Sequence, residues 1–313
     1  MWTIIIIIAV IVLFLIWNIT LFGYKDRAVH PIESDESKVF CPEARPIVLK
    51  KEGHSGAILL VHGFPATPST YTYSSRVFFE AGLDVYVPLL PGFGTDPKEF
   101  VKTTFTQWFD YLCRYYEHLR GEYETLYVLG ISMGGMMTLK IGETYCGGPK
   151  APDKLVSIAA PVVYNSMKDG IITNWRQSFL RTVALFTPSI GARTTAGKKE
   201  GEDGSQDWYG YNGLFLRPGL SLVYAMRQVR RELGQISCPL FVIHDRGDST
   251  VPFGNCEIIE REQQSSDFKI LKTEMPPMGH SRHALLTYYS VQADLTQRII
   301  AFLFDKETPH DQA

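Results

Sequence analysis

The 313-residue sequence lacks the patterns that mark metal-binding, disulfide-rich and nucleic-acid-binding proteins. Its five cysteines are scattered and odd in number, with neither a Cys-x-x-Cys pair nor the Cys/His spacing of a zinc site, so reduced and mostly buried thiols are expected. It has no basic run, and a net charge of −2 argues against nucleic-acid binding. Its 45% hydrophobic content excludes the disordered class and supplies a packed core.

The N-terminal segment MWTIIIIIAVIVLFLIWNITLFGY, residues 1–24, contains no charged side chain. About 20 apolar residues are enough to cross a bilayer as a helix. A cleaved signal peptide is the alternative, but no basic residue precedes the run and no A-x-A site follows it. The sequence therefore predicts a retained single-pass transmembrane anchor in contact with membrane lipid. Lys25 and Arg27, offset by Asp26, favour a cytoplasmic-facing body without fixing the side.

The remainder of the chain predicts a linker followed by an α/β domain. Residues 25–44 are polar and interrupted by proline, which is typical of a linker. Beyond them strand-like and helix-like segments alternate, and continuous apolar runs such as GAILLVHG at 56–63 are typical of parallel strands covered on both faces. We therefore expect a mostly parallel sheet with helices on both faces, built from residues 45–162 and 237–313.

The segment Gly130-Ile131-Ser132-Met133-Gly134 lies where a predicted strand meets a predicted helix. In that position the glycines permit a turn too tight for side chains, and the strained serine projects its hydroxyl above the sheet. A glycine-softened core loop is the alternative, because a bare Gly-x-Ser-x-Gly motif is weak by itself. The strand before it and the helix after it favour a nucleophilic Ser132.

A serine nucleophile needs a base and an acid, and both are expected after later strands of the sheet. LFVIHDRGDSTVP supplies Asp248 as the acid, with Asp245 as the alternative. KILKTEMPPMGHSRH supplies His280 as the base, with His283 as the alternative, which is expected instead to begin the last helix. In these roles the histidine would accept the serine proton, and Asp248 would hold its tautomer.

The developing oxyanion needs two hydrogen-bond donors. One is expected from the backbone N–H of Met133, directly after the nucleophile. The second is expected from the backbone N–H of Phe64 in the loop LLVHGFPATPST, since Pro65 has no N–H. His62 in that loop is expected to be structural.

Five segments follow one another along the chain: LLVHGFPATP, YVPLLPGFGTDP, VLGISMGG, FVIHDRGDSTVP and MGHSRH. As a set they resemble the α/β-hydrolase superfamily, and most of all its bacterial carboxylesterases and monoacylglycerol lipases. The resemblance covers roughly residues 46 to 305 and implies ester hydrolysis by Ser132, Asp248 and His280, with no metal and no organic cofactor. A thioesterase or an acyltransferase with the same triad is the alternative, and a non-catalytic, membrane-tethered binding protein is a second one. Phe93 stands where the family often has histidine, and the N-terminal span departs from the soluble esterase pattern.

The resemblance also implies that the insert at residues 163–236 is a helical cap over the active site. NWRQSFLRTVALF, which includes Trp175, and LSLVYAMRQVRREL are predicted as its helices, and the charged, glycine-rich residues 192–207 as a mobile loop. An aromatic cap beside a membrane anchor favours a lipophilic small-molecule acyl ester, such as a monoacylglycerol or a lysophospholipid, as substrate.

Overall fold

The structure is a computed structural model that describes residues 2–166, 168–171, 179–197, 203–204 and 208–306. Its N-terminal helix, α1 (Trp2–Thr20), is free of Asp, Glu, Lys and Arg, and most of its side chains point outward from the protein. Nineteen helical residues extend about 28 Å, close to the thickness of a bilayer core. By length and composition α1 can cross a membrane, and a signal sequence would meet the same criteria.

The body is built on a central seven-stranded sheet. Its strands are β1 (Ile47–Leu49), β2 (Gly56–Val61), β3 (Leu83–Val87), β4 (Thr125–Ile131), β5 (Lys154–Ile158), β8 (Leu240–Asp245) and β9 (Phe268–Thr273). They lie in the order β1-β3-β2-β4-β5-β8-β9. β1 is antiparallel to β3, and every other neighbouring pair in this sheet is parallel, in agreement with the predicted mostly parallel sheet. A separate antiparallel pair is formed by β6 (Ser189–Gly197) and β7 (Trp208–Phe215).

Helices cover both faces of the sheet because the central strands are apolar on both sides. In β2, Ala57, Leu59 and Val61 belong to one hydrophobic core, and Ile58 and Leu60 belong to the other. Burial of each of these larger aliphatic side chains contributes about 1.5–3 kcal/mol. The helices after α1 are α2 (Thr72–Glu80), α3 (Pro97–Phe100), α4 (Phe105–Glu122), α5 (Met133–Tyr145), α6 (Leu180–Phe186), α7 (Leu216–Glu232), α8 (Gly254–Glu262) and α9 (Gln292–Leu303).

The insert is only partly helical. Of its two predicted helices, one corresponds to α6, with Trp175 outside the described residues, and the other to α7. The segment expected to be a mobile loop instead contributes residues to the β6–β7 hairpin, whose strands pair from Ser189 with Phe215 to Gly197 with Trp208. A register shift between Ile190 and Arg193 hid the alternating pattern of these strands.

The last helix and one pair of cysteines also differ from expectation. α9 begins at Gln292, and a short 3₁₀ turn at Leu285–Thr287 replaces the predicted start near Ala284. Cys146 at the end of α5 and Cys238 just before β8 form a disulfide, although reduced thiols were expected. The two cysteines are separated by 92 residues, so their pairing is set by the neighbouring strands β5 and β8 and not by spacing in the sequence.

Residues 25–44, the predicted linker, lie against the body. Thr104 donates a hydrogen bond to the carbonyl of Ala28 at 2.6 Å, and Gln107 donates to that of His30 at 2.9 Å. Glu33 forms an ion pair with Arg114. These contacts attach the segment to α4 and to its N-terminal cap, so it is a docked strap on the body and not a free tether.

Candidate active site

Ser132 lies at a sharp turn between β4 and α5, as the motif predicts. Its backbone has φ 60° and ψ −124°, a left-handed conformation that costs a non-glycine residue of order 1–3 kcal/mol. The Ser132 N–H donates to the carbonyl of Ile158 on the adjacent strand at 2.8 Å, which holds the turn in place. The side chain is half-buried at the carboxyl edge of the sheet.

The glycines on either side of Ser132 are required by close backbone contacts. A Cβ atom on Gly130 would lie 2.1 Å from the carbonyl oxygen of Gly134, and one on Gly134 would lie 1.9 Å from that of Val61. Neither contact can be relieved by rotating a side chain, because backbone atoms stand on both sides. The glycines therefore let α5 begin directly behind the serine and pack against β2.

Asp248 follows β8 and has both carboxylate oxygens occupied. Oδ1 accepts hydrogen bonds from the N–H groups of Thr250 and Val251, at 2.8 and 2.9 Å. Oδ2 lies 2.7 Å from Nδ1 of His283 and 3.4 Å from Nε2 of His244. Burial alone would raise the pKa of Asp248, but hydrogen bonds from His244 and His283 outweigh it and lower the pKa to about 2. Asp248 is therefore ionised at neutral pH.

His283, on the loop after β9, is the histidine that contacts Asp248. Its side chain is nearly buried, and its backbone N–H donates to the hydroxyl of Tyr288 at 3.1 Å. Because Nδ1–H donates to an ionised carboxylate, Nε2 is the acceptor nitrogen of the neutral ring. Across the described residues, no hydrogen bond occupies that Nε2.

His280, the predicted partner of Asp248, lies elsewhere. Its Nε2 is 3.2 Å from Oδ2 of Asp203, and its Nδ1 accepts from the N–H of Arg282 at 3.2 Å. Its ring stacks on Tyr288 with centroids 4.0 Å apart. Both ring nitrogens are thus engaged by groups outside the Ser132 and Asp248 pair. The structure therefore corrects the sequence-based choice: the alternative, His283, pairs with the acid, and it does not begin the last helix.

Asp245, the alternative acid, has a structural environment. It is fully buried, and it accepts hydrogen bonds from the N–H of Gly247, the hydroxyl of Thr273 and the N–H of Met275. These bonds join the end of β8 to the end of β9. No histidine is bonded to Asp245 in the part of the chain that the structure describes.

Both predicted oxyanion donors belong to segments that adjoin the serine turn. Met133 is the first residue of α5, where a backbone N–H has no acceptor within the helix. The loop carrying Phe64 passes directly over the serine, because a Cβ atom on Gly63 would lie 3.2 Å from Cβ of Ser132. Neither N–H is used by another acceptor in the described ranges. The positive end of the α5 dipole would add to the stabilisation of negative charge there.

His62 holds this loop in place. Its Nε2 accepts from the N–H of Leu90 at 3.1 Å, and its Nδ1 lies 3.1 Å from the carbonyl of Gly63. Burial lowers the pKa of His62 to about 4, so the ring is neutral and bonds to both neighbours. Phe93 packs edge-on against this ring, with centroids 4.9 Å apart.

The cap hairpin contacts the same loop. Tyr211 on β7 donates its N–H to the carbonyl of Pro65 at 3.0 Å, and Thr67 donates to the carbonyl of Tyr209 at 2.8 Å. The Tyr211 hydroxyl reaches the carbonyl of Gly92 at 2.8 Å. β7 therefore extends the wall beside the predicted oxyanion donors and fixes the cap to the core at this point.

The arrangement offers oxygen and nitrogen groups for proton transfer and no cluster for a metal. Within the described ranges, no group of three or more His, Cys, Asp or Glu side chains is placed to hold a metal ion. The ionised Asp248, the adjacent His283, the strained Ser132 and the two predicted N–H donors would supply the groups needed for acyl transfer through a serine.

Comparison with known proteins agrees with this chemistry. The sequence profile of the alpha/beta hydrolase family matches residues 58–287. A thermostable monoacylglycerol lipase of Bacillus sp. (strain H-257) is 28% identical over 218 residues, covering 69% of this chain and 79% of that protein. A carboxylesterase of Bacillus subtilis (strain 168) is 27% identical over 239 residues, covering 74% and 85%. The fold superposes on a metagenome-derived lipolytic enzyme with a TM-score of 0.69 at 22% identity, over 84% of this chain and 98% of that one.

Proposed function

Because the chain belongs to the alpha/beta hydrolase family, we propose that this carboxylic ester hydrolase cleaves lipophilic acyl esters through an acyl-enzyme on Ser132. The observation that carries the proposal is the contact of 2.7 Å between Nδ1 of His283 and Oδ2 of Asp248, at the sheet edge where the half-buried Ser132 lies on its turn. In this proposal His283 is the base, the role that the sequence analysis predicted for His280.

The reaction begins when Nε2 of His283 takes the proton of the Ser132 hydroxyl as the oxygen attacks the ester carbonyl. Asp248 remains ionised, keeps Nδ1 protonated and stabilises the imidazolium that forms. The N–H groups of Phe64 and Met133 bind the tetrahedral oxyanion. His283 then protonates the departing alcohol. In the second half of the reaction the same ring takes a proton from a water molecule, whose oxygen attacks the acyl-enzyme. The proton passes to the oxygen of Ser132 as the fatty acid is released.

The substrate class is inferred from the relatives and from the surroundings of the cap. The relatives named above are a monoacylglycerol lipase and a carboxylesterase. The cap joins the end of α1, since Asn18 accepts hydrogen bonds from the N–H and the hydroxyl of Thr182 at 3.1 and 2.8 Å. Beside that junction α6 exposes Phe186 by 84% and Leu185 by 60%. These features favour a monoacylglycerol or lysophospholipid that arrives from a membrane.

We further propose that α1 is a retained membrane anchor. Its outward side chains are apolar, and the helix end is tied into the body by Asn18, whose side chain is 4% exposed. A cleaved signal segment needs no such attachment to the mature fold. Two features bear on the side of the membrane, and they point in opposite directions. Lys25 and Arg27 favour a cytoplasmic body, whereas the Cys146–Cys238 disulfide favours an oxidising compartment.

Labelling with a fluorophosphonate probe tests the nucleophile. The wild-type chain and the matched control Ser249→Ala, an exposed serine in the loop after β8, should be labelled, and Ser132→Ala should not. Hydrolysis of p-nitrophenyl esters of increasing acyl length and of monoacylglycerols then defines the substrate. Faster turnover of acyl-thioesters, or transfer to an added alcohol, would identify the thioesterase or acyltransferase alternative. Absence of label on the wild-type chain would favour the non-catalytic binding protein.

A further inference from the structure

A cavity of about 560 Å³ lies where the end of α1 meets the cap. It is separate from the proposed active site, because Ser132, Asp248 and His283 are not among its walls. Asn18 and Leu21 line it from the N-terminal segment, and Tyr164 from the start of the insert. Its charged wall comes from Arg181 on α6, from arginines of α7 and from Glu262 on α8.

Two of these arginines are half-buried and lack an anionic partner. Arg181 donates to the carbonyls of Trp17 and Phe22 at 2.9 and 2.8 Å, and Arg227 donates to the carbonyls of Ile19 and Thr20. Throughout the described ranges, neither forms an ion pair with a carboxylate. Burial lowers the pKa of both guanidinium groups, and for Arg227 the nearby Arg231 adds to the effect.

Apart from Arg231, the other charges at and beside the cavity balance one another. Arg230 pairs with Asp169 at 2.7 Å and with Glu262 at 3.1 Å, and Arg261 contacts the same two carboxylates at 3.2 and 2.8 Å. Two cations and two anions make this network neutral. It therefore leaves the charges of the remaining arginines in the wall uncompensated.

The carbonyl groups at the end of α1 offset only part of the excess. A helix C-terminus carries about half a negative charge, whereas Arg181, Arg227 and Arg231 carry three positive ones. Each guanidinium has five N–H donors, and the bonds to the helix end leave several of them unused. A desolvated positive cavity with spare, forked donors suits an oxyanion such as a phosphate group.

We propose that this cavity binds the phosphate headgroup of an anionic membrane phospholipid. The proposal rests on the membrane insertion of α1 proposed above, since a helix that crosses the bilayer places its end, and with it Arg181 and Arg227, at the depth of the headgroups. The apolar wall near Leu21 would then accept the glycerol and the first acyl carbons. The bound lipid would complete the joint between the anchor and the cap.

Binding is measured on the full-length chain in detergent, titrated with ether-linked phosphatidylglycerol, which contains no acyl ester to hydrolyse. Ether-linked phosphatidylcholine and inorganic phosphate are titrated in parallel. The variants are Arg181→Gln, Arg227→Gln and their double variant, and the matched control is Arg76→Gln, an exposed arginine on α2. Hydrolysis of a short p-nitrophenyl ester by each variant, and extraction of membranes with alkaline carbonate, are measured separately.

We expect the wild-type chain and Arg76→Gln to bind phosphatidylglycerol more tightly than phosphatidylcholine. Each single cavity variant should lose about fivefold in affinity and the double variant about 25-fold, the equivalent of roughly 1 kcal/mol per arginine near a headgroup, while short-ester hydrolysis is retained. Equal binding of both lipids by the wild-type chain, unchanged preference in the double variant, or equally tight binding of inorganic phosphate would overturn the proposal. Loss of ester hydrolysis in the wild-type chain, or its extraction by carbonate, would instead overturn the proposed function or the anchor.

Discussion

Replacement of the two histidines that lie three residues apart separates catalysis from cap attachment. Among the residues that the structure describes, the rings of His283 and His244 contact Asp248 Oδ2, and His283→Ala removes the first of them together with the proposed base. Loss of a triad member costs on the order of 10⁴–10⁶-fold in kcat, since only the oxyanion donors and substrate binding remain. We expect His283→Ala to lose activity on this scale.

His280→Ala should behave differently because His280 contacts Asp203 and Tyr288. It loses one hydrogen bond to a carboxylate, worth about 1.5–3 kcal/mol, and a ring stack worth about 0.5–1.5 kcal/mol. These losses lower the unfolding temperature, whereas kcat/KM should fall less than tenfold.

The assay is hydrolysis of p-nitrophenyl butyrate by both variants, with thermal unfolding followed by circular dichroism on the same samples. His283→Asn serves as the control for folding, because its amide can still donate to Asp248 but cannot act as a base. A folded His283→Ala with near wild-type kcat, beside an inactive but folded His280→Ala, would refute the assignment and restore the sequence-based choice.

Three further predictions concern the acid, a buried carboxyl and the serine turn. Asp248→Asn should lower kcat on the order of 10⁴-fold, because the amide favours the wrong histidine tautomer. Asp245→Asn should mainly lower the unfolding temperature. The reverse ranking of the two variants in an esterase assay would identify Asp245 as the acid. Burial raises the pKa of Glu143 from 4.5 to about 8. Between these pH values the folded state therefore holds a proton that the unfolded state releases. The free energy of unfolding should fall by up to about 1.4 kcal/mol for each unit that the pH rises through this range. Urea denaturation of the wild-type chain at several pH values should show this slope, and Glu143→Gln should reduce it; an unchanged slope would contradict the attribution. Gly134→Ala should prevent assembly of the turn, because its Cβ would overlap the carbonyl of Val61, and soluble, fluorophosphonate-reactive protein from this variant would show that the backbone can yield.

The mostly parallel sheet, the alternation of strands and helices along the chain, and the serine turn could be predicted because each depends on local pattern. Continuous apolar runs identify buried parallel strands, and glycines on both sides of Ser132 identify a turn that backbone contacts require. The membership of the family was likewise predicted and is confirmed by the profile match. Asp248 as the acid and the two oxyanion donors remain predictions, which the geometry supports.

The choice between His280 and His283 could not be made from the sequence because a loop has no periodicity to orient its side chains. The backbone is left-handed at Gly279, with φ 79°, and at Arg282, with φ 54°, and these turns direct the second histidine to the acid. The first histidine is held by Asp203, distant in the sequence. The cap hairpin was missed for a related reason, since strands interrupted by glycine and charge give a weak alternating signal.

The docked strap of residues 25–44 limits where this protein can work. Hydrogen bonds at Ala28 and His30 leave little slack between α1 and the body, so under the proposed membrane insertion of α1 the body cannot move far from the bilayer. An enzyme held in this way meets substrate molecules that diffuse within the membrane. Its turnover should therefore follow the surface density of its substrate and not the bulk concentration. A longer strap would let the same fold bind and hydrolyse substrates from solution.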